Sequence, residues 1–172
     1  MKFITILLLL TFGFSQDDLD LPNFSYQGEY NGSYYYLSNY TANWYQAISA
    51  AEDNGGALLV VNSVDEENVV MEFMYQNSNV WLGLSDIETE GEWKTIYGET
   101  IWIGGTDGYA PNGSYTNWQP NEPNNTDGAD CALLHNGTNK GWDDCVCGSD
   151  NNKYIVIEFI PGCTHPNATN YD

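Results

Sequence analysis

The sequence predicts an α+β domain. Two short stretches in the first half carry helical periodicity, several apolar runs of strand length surround them, and a long polar loop separates the last strands. At 172 residues the chain suits one domain with short ends, and its 42% apolar and 15% aromatic content is enough for a core.

In chain order, residues 1–15 read as a secretory signal peptide: Lys2, an apolar run over 3–12, then the small residues Gly13 and Ser15. That run is too short to span a bilayer. Residues 16–27 are acidic and read as a linker or a loose first strand. Residues 32–37 (G-S-Y-Y-Y-L) have strand composition. From Thr41, which can cap a helix, Trp44, Ala47, Ile48 and Ala51 recur at i, i+3, i+4 and i+7, and Gly55-Gly56 stop the pattern. Residues 57–61 (A-L-L-V-V) form a short buried strand. Ser63-x-x-Glu66 is a capping box opening a second helix, with Val69, Val70, Phe73 and Met74 as its buried face. Residues 80–84 are another apolar strand. A glycine-punctuated stretch, 94–117, holds short strands near 101–103 and 114–118. Residues 131–134, 141–142 and 154–159 close the domain, the last of them in the core and near the N-terminal strand.

The formal charge of −20, with four Lys and no Arg, removes any basic footprint for nucleic acid and makes anionic membranes unsuitable partners. Cations are the natural partners of such a surface. The stretch 117–144 reads N-W-Q-P-N-E-P-N-N-T-D-G-A-D-C-A-L-L-H-N-G-T-N-K-G-W-D-D. Asn121, Glu122, Asn124, Asn125, Asp127, Asp130, Asp143 and Asp144 bring the carboxylate and amide oxygens that Ca2+ prefers. A solvated acidic loop has the same composition, so spacing alone leaves both readings open.

E-P-N, then D-C-A, then W-D-D resembles the long loop of C-type lectin-like domains, and residues 80–93 (V-W-L-G-L-S-D-I-E-T-E-G-E-W) are similar to that family's W-x-G-L and G-x-W landmarks. The likeness covers roughly residues 32–159. It implies a C-type lectin-like fold over 28–160, with two helices, two small antiparallel sheets and a long Ca-binding loop. It also implies a Cys131–Cys147 disulfide and a cis Glu122–Pro123 peptide. The family's other disulfide is missing, with Ala51 and Ile157 in its places. Cys145 and Cys163 are left over, either to pair with each other or to leave Cys163 for a partner beyond residue 172. A zinc site from Cys131, His135, Cys145 and Cys147 is the competing reading, although a secreted chain favours disulfides. Residues 161–172 resemble the opening of a short Cys-bearing repeat (G-C-T-x-P-x-A-x-N-Y) of bacterial surface proteins, or form a plain polar tail.

The resemblance assigns Ca2+ as the cofactor and Glu122, Asn124, Asp143 and Asp144 as its ligands; Asp127 is close enough in sequence to swing in as an extra one. Glu122, Asn124 and Asp143 would also contact sugar, and the order Glu then Asn is associated with mannose, glucose and fucose types. A second, auxiliary ion would take Asp86, Glu90, Asn125 and Asp130. Two positions depart from the pattern: Ala129 stands where a carboxylate is usual, and Asp143 where Asn is usual. An ionised Asp143 cannot donate as an amide does. Tyr109 and Tyr115 are candidates for flanking sugar contacts, while Trp118 and Trp142 read as core.

The expected function is therefore a secreted or cell-surface, calcium-dependent module with glycans as partners, used in several copies or within a larger parent protein. The second reading is a structural or adhesive domain that keeps the fold and binds protein, ice or itself. A glycosidase using Glu88/Glu90 or Asp143/Asp144 is disfavoured, because these pairs are loop neighbours and the family is not catalytic.

Overall fold

The computed structural model describes residues 19–148 and 152–160. The expected signal peptide, the C-terminal repeat or tail, and Cys163 lie outside them. The chain enters through a hairpin of β1 (Phe24–Tyr30) and β2 (Ser33–Ala42). Its two-residue turn is Asn31-Gly32, both at positive φ (50° and 88°), the backbone that matches the twist of paired strands. β1 thus begins inside the stretch read as a linker or loose strand. Its polar sequence, FSYQGEY, suits an edge strand, and none of its residues is fully buried.

Helix α1 (Trp44–Asp53) starts later than expected. Thr41 is still in β2, and the cap is Asn43, whose side chain accepts from Gln46 N while the Gln46 side chain accepts from Asn43 N. The expected strand at 57–61 shrinks to β3 (Ala57–Leu58), although Leu59 still bonds the backbones of Val156 and Gly83 on either side.

Helix α2 (Val64–Phe73) is capped by Ser63, but only half of the expected box forms. Glu66 turns its carboxylate to Asn62 N (2.7 Å) and the Tyr35 hydroxyl (2.8 Å). The buried face is Glu66, Glu67, Val70 and Met71, with Met74 beyond the last turn. Val69 and Phe73 are only partly covered. Two charged residues therefore occupy positions that the apolar pattern assigns to hydrophobes.

The remaining strands are β4 (Asn79–Ser85), β5 (Glu92–Thr95), β6 (Thr100–Ile103), β7 (Cys131–His135), β8 (Gly141–Cys145) and β9 (Lys153–Phe159). Two antiparallel groups form, one of β1, β2, β9 and β3 and the other of β4 to β8. A parallel pairing at Val80↔Tyr154 joins them into one mixed sheet. The first and last strands both flank β2. Residues 114–118 are not a strand: a short 3-10 turn (Pro111–Gly113) precedes them, and only Trp118 bridges to Trp142.

β4, β7 and β9 carry near-continuous apolar runs because both faces are buried. Val80, Leu82, Ala132, Leu134 and Val156 join one core with Trp93 and α2. Trp81, Leu133, Ile155 and Ile157 alternate into the other core, with Ala47 and Ala51 of α1. Ala51 and Ile157, which replace the absent disulfide, are both fully buried there.

Candidate functional site

The long loop is closed at its base by backbone pairing. Trp142 N donates to Asn117 O (2.7 Å) and Gln119 N to Trp142 O (2.8 Å). Gly141, at φ 126°, lets β8 and the segment at Asn117 touch: a Cβ there would stand 2.7 Å from Asn117 O. Trp93, Trp118 and Trp142 pack edge to face beneath the loop, with ring centroids 4.8 and 5.7 Å apart. Trp142 is fully buried and Trp118 half-buried, so both are core, as expected. Glu67, 3% exposed, accepts from Trp142 Nε1 (2.7 Å) and Asn117 Nδ2 (2.5 Å).

Above this base the chain turns back at a cis Glu122–Pro123 bond, as the resemblance implies. Asp144, on β8 and 8% exposed, then fastens the loop through both oxygens. Oδ1 accepts from Asn124 N (3.0 Å) and Oδ2 from Asn125 N (2.5 Å). Asn124 donates from Nδ2 to Glu122 Oε2, and its Oδ1 accepts from Thr126 N and Thr126 Oγ1. Glu122, Asp143 and Asp144 each bring one carboxylate oxygen into a group whose members lie within 4.8 Å of one another. Burial, a hydrogen bond with Asp144 and the charges of Asp143 and Asp144 push the Glu122 carboxyl up to about 7. Such crowding of hard oxygen donors fits a divalent cation of the Ca2+ type, whose charge would offset the repulsion.

Asp143 is tied on its other side: His135 Nε2 lies 3.1 Å from Asp143 Oδ2. Ala129 is buried and supplies no donor. Asp127 stays exposed on the turn at φ 59°, outside the carboxylate group.

The residues expected for a second ion gather next to the first group, around a cavity that Asn124 and Asp144 also line. Asp86 is 3% exposed. Its Oδ2 accepts from Gly91 N (2.8 Å), and its Oδ1 is buried with no partner. Burial, with the charges of Glu90 and Asp130, pushes its carboxyl up to about 6. Asp86, Glu90 and Asn125 line one cavity of about 130 Å³, and Asp130 O accepts from Asp86 N. An orphaned buried carboxylate oxygen facing acidic neighbours is the donor chemistry a cation would satisfy.

The zinc reading fails. Cys131 and Cys147 are joined by a disulfide across a sequence separation of 16, which spends both sulfurs, and His135 faces Asp143. Tyr115 is not free for flanking contacts either. Its ring packs on Trp142 and its hydroxyl bonds Glu67, whereas Tyr109 is 61% exposed. Sequence reasoning missed Glu67 and the tie from His135 to Asp143. The alternation of β7 and β8 could have suggested the second, but a partner of Glu67 75 residues away left no local signal. The insertion also leans on the site, with Thr106 Oγ1 donating to Asn121 O (3.3 Å).

Residues 40–155 match the family model described as the lectin C-type domain. The C-type lectin domain family 4 member M of Nomascus concolor is 32% identical over 136 residues, which are 78% of this chain and 30% of that protein. A perlucin-like protein of Mytilus galloprovincialis is 27% identical over 131 residues, 74% of this chain and 77% of the relative. Among solved structures, the carbohydrate-recognition domain of the mouse scavenger receptor C-type lectin superposes with a TM-score of 0.65 at 26% identity, covering 81% of this chain and 94% of that one. A calcium-independent type II antifreeze protein shares the fold, with a TM-score of 0.64 at 18% identity over 83% of this chain and 95% of its own. The family match, the paired core tryptophans and the disulfide-braced loop agree, and the chain belongs to the C-type lectin domain family.

Proposed function

We propose that this chain is a calcium-dependent carbohydrate-binding module acting outside the cell or at its surface. The observation that carries the reading is the convergence of Glu122, Asp143 and Asp144 within 4.8 Å, beside an Asn124 amide bonded to Glu122. Glu122, Asn124, Asp143 and Asp144 would hold the ion, and Asp127 would reach it only by a turn movement. The ion, when bound, supplies coordination to two neighbouring sugar hydroxyls. Glu122 then accepts a hydrogen bond from a hydroxyl, and Asn124 donates one from its amide. Asp144 keeps the loop seated through the Asn124 and Asn125 amides. The E-P-N order points to mannose, glucose or fucose types. Asp86, Glu90, Asn125 and Asp130 would hold a second ion that stiffens the loop, supported by the orphaned Asp86 Oδ1. A single shallow site binds weakly, so several copies or a larger parent protein would provide avidity. The leader-like residues 1–15 and the disulfide support an extracellular setting. No helix among the described residues is long and apolar enough to cross a membrane.

Two observations favour a second reading, a structural or adhesive domain that does not bind sugar. Ala129 offers no acceptor and Asp143 is already engaged by His135. A glycan array, read with and without chelator, separates the two. The lectin reading expects signals on mannose-, glucose- or fucose-terminated glycans that vanish in chelator. Signals that survive chelation, or no signal at all, would support the second.

A further inference from the structure

The carboxylate of Glu67 is buried and makes no ion pair within 4.0 Å among the described residues; Lys140 acts on it only at longer range. Helix α2 could have placed a hydrophobe there at lower desolvation cost. Three neutral donors surround the group: Trp142 Nε1–H, Asn117 Nδ2–H and the Tyr115 hydroxyl. All three lie at the base of the long loop. Asn117 opens the loop, Trp142 closes it, and their backbones are bonded to each other. Asp143 and Asp144 follow Trp142 directly on β8. The neighbouring buried acid, Glu66, is as covered but serves a different place. It bonds Tyr35 of β2 and Asn62, away from the loop.

Resting on the reading of Glu122, Asn124, Asp143 and Asp144 as an ion site, we propose that Glu67 is its positioning residue. By holding Trp142 and Asn117 together, its carboxylate fixes the base from which Asp143 and Asp144 project, so affinity for the ion depends on a helix that never touches it. Glutamine at this position keeps the shape but replaces one acceptor oxygen by an N–H donor, so the partner on that side has to turn an acceptor inward or lose its bond. Groups bonded directly to metal ligands typically change affinity by about 10- to 100-fold when removed, and Glu67 acts one residue further back, through Trp142, so the lower end of that range applies.

The test compares Glu67→Gln with Glu66→Gln by titrating the intact folded protein with Ca2+ alone. The expected result is a dissociation constant raised about tenfold or more in Glu67→Gln and unchanged in Glu66→Gln, even if both melt at lower temperature. Asn117→Ala, which leaves α2 intact, should weaken binding in the same direction and serves if Glu67→Gln fails to fold. Equal affinities in the two glutamine variants would overturn the proposal. Hydrogen exchange in chelator reads the same idea without metal: the Asn124 and Asn125 amides should exchange faster in Glu67→Gln than in Glu66→Gln. If the unsubstituted protein takes up no Ca2+, the ion-site reading falls, and these exchange rates alone decide whether Glu67 orders the loop. Matching rates then reject it.

Discussion

Glu158 offers a test of the core that is independent of the ion site. It sits on β9, 3% exposed, with Oε2 buried and unpartnered. Burial and the charge of Glu66 push its carboxyl from about 4.5 up to about 7, while contacts with Ser33 and the Val60 backbone oppose the rise. Between these two values the folded protein holds more protons than the unfolded chain, so stability falls as pH rises through that window. A shift of about 2.5 units at 1.36 kcal/mol each gives a penalty of about 3 kcal/mol above the folded value, nearly absent at pH 4.5. Glu158→Gln removes the charge and keeps the volume. Urea unfolding in chelator should show the variant more stable by about 3 kcal/mol at pH 8 and within about 0.5 kcal/mol at pH 4.5. Taking the difference between the two proteins at each pH cancels the titration of the loop carboxylates, which are common to both. A variant advantage that is the same at both pH values, or a loss of stability at pH 8, would refute the reasoning.

Two further outcomes follow from the loop and the central strand. Replacing Cys131 and Cys147 together by Ala should cost about 3 kcal/mol in denaturant unfolding, from the entropy of freeing a loop of this length. Gly83→Ala should cost about 2 kcal/mol, because its Cβ would meet Leu58 O at 2.8 Å where β4 passes the end of β3; a thermal melt that does not move would contradict this.

What could be read from the sequence was what is local. The E-P-N and W-D-D motifs sit at short spacing, so the cis Glu122–Pro123 bond and the gathering of Glu122 with Asp143 and Asp144 followed from the family resemblance. The apolar runs of β4 and β9 marked them as buried strands, and the structure covers both of their faces. The start of α1 was misplaced because Thr41 and Asn43 are both good caps, and pairing of β2 with β9 extends the strand through Ala42. The buried face of α2 was misread for a different reason. Glu66 and Glu67 look solvent-facing by type, and only Tyr35, Asn117 and Trp142, 31, 50 and 75 residues away, make their burial possible. Residues 114–118 have strand composition, yet their partners are a ring stack and Glu67 rather than a ladder.

Calorimetric titration of Ca2+ into this protein and into Asp144→Asn reads the ion site itself, because Asp144 belongs to the carboxylate group and also seats Asn124 and Asn125. The ion-site account predicts saturable heat in the first and its loss or strong weakening in the second. No heat in the unsubstituted protein, or the same binding curve in both, would contradict it.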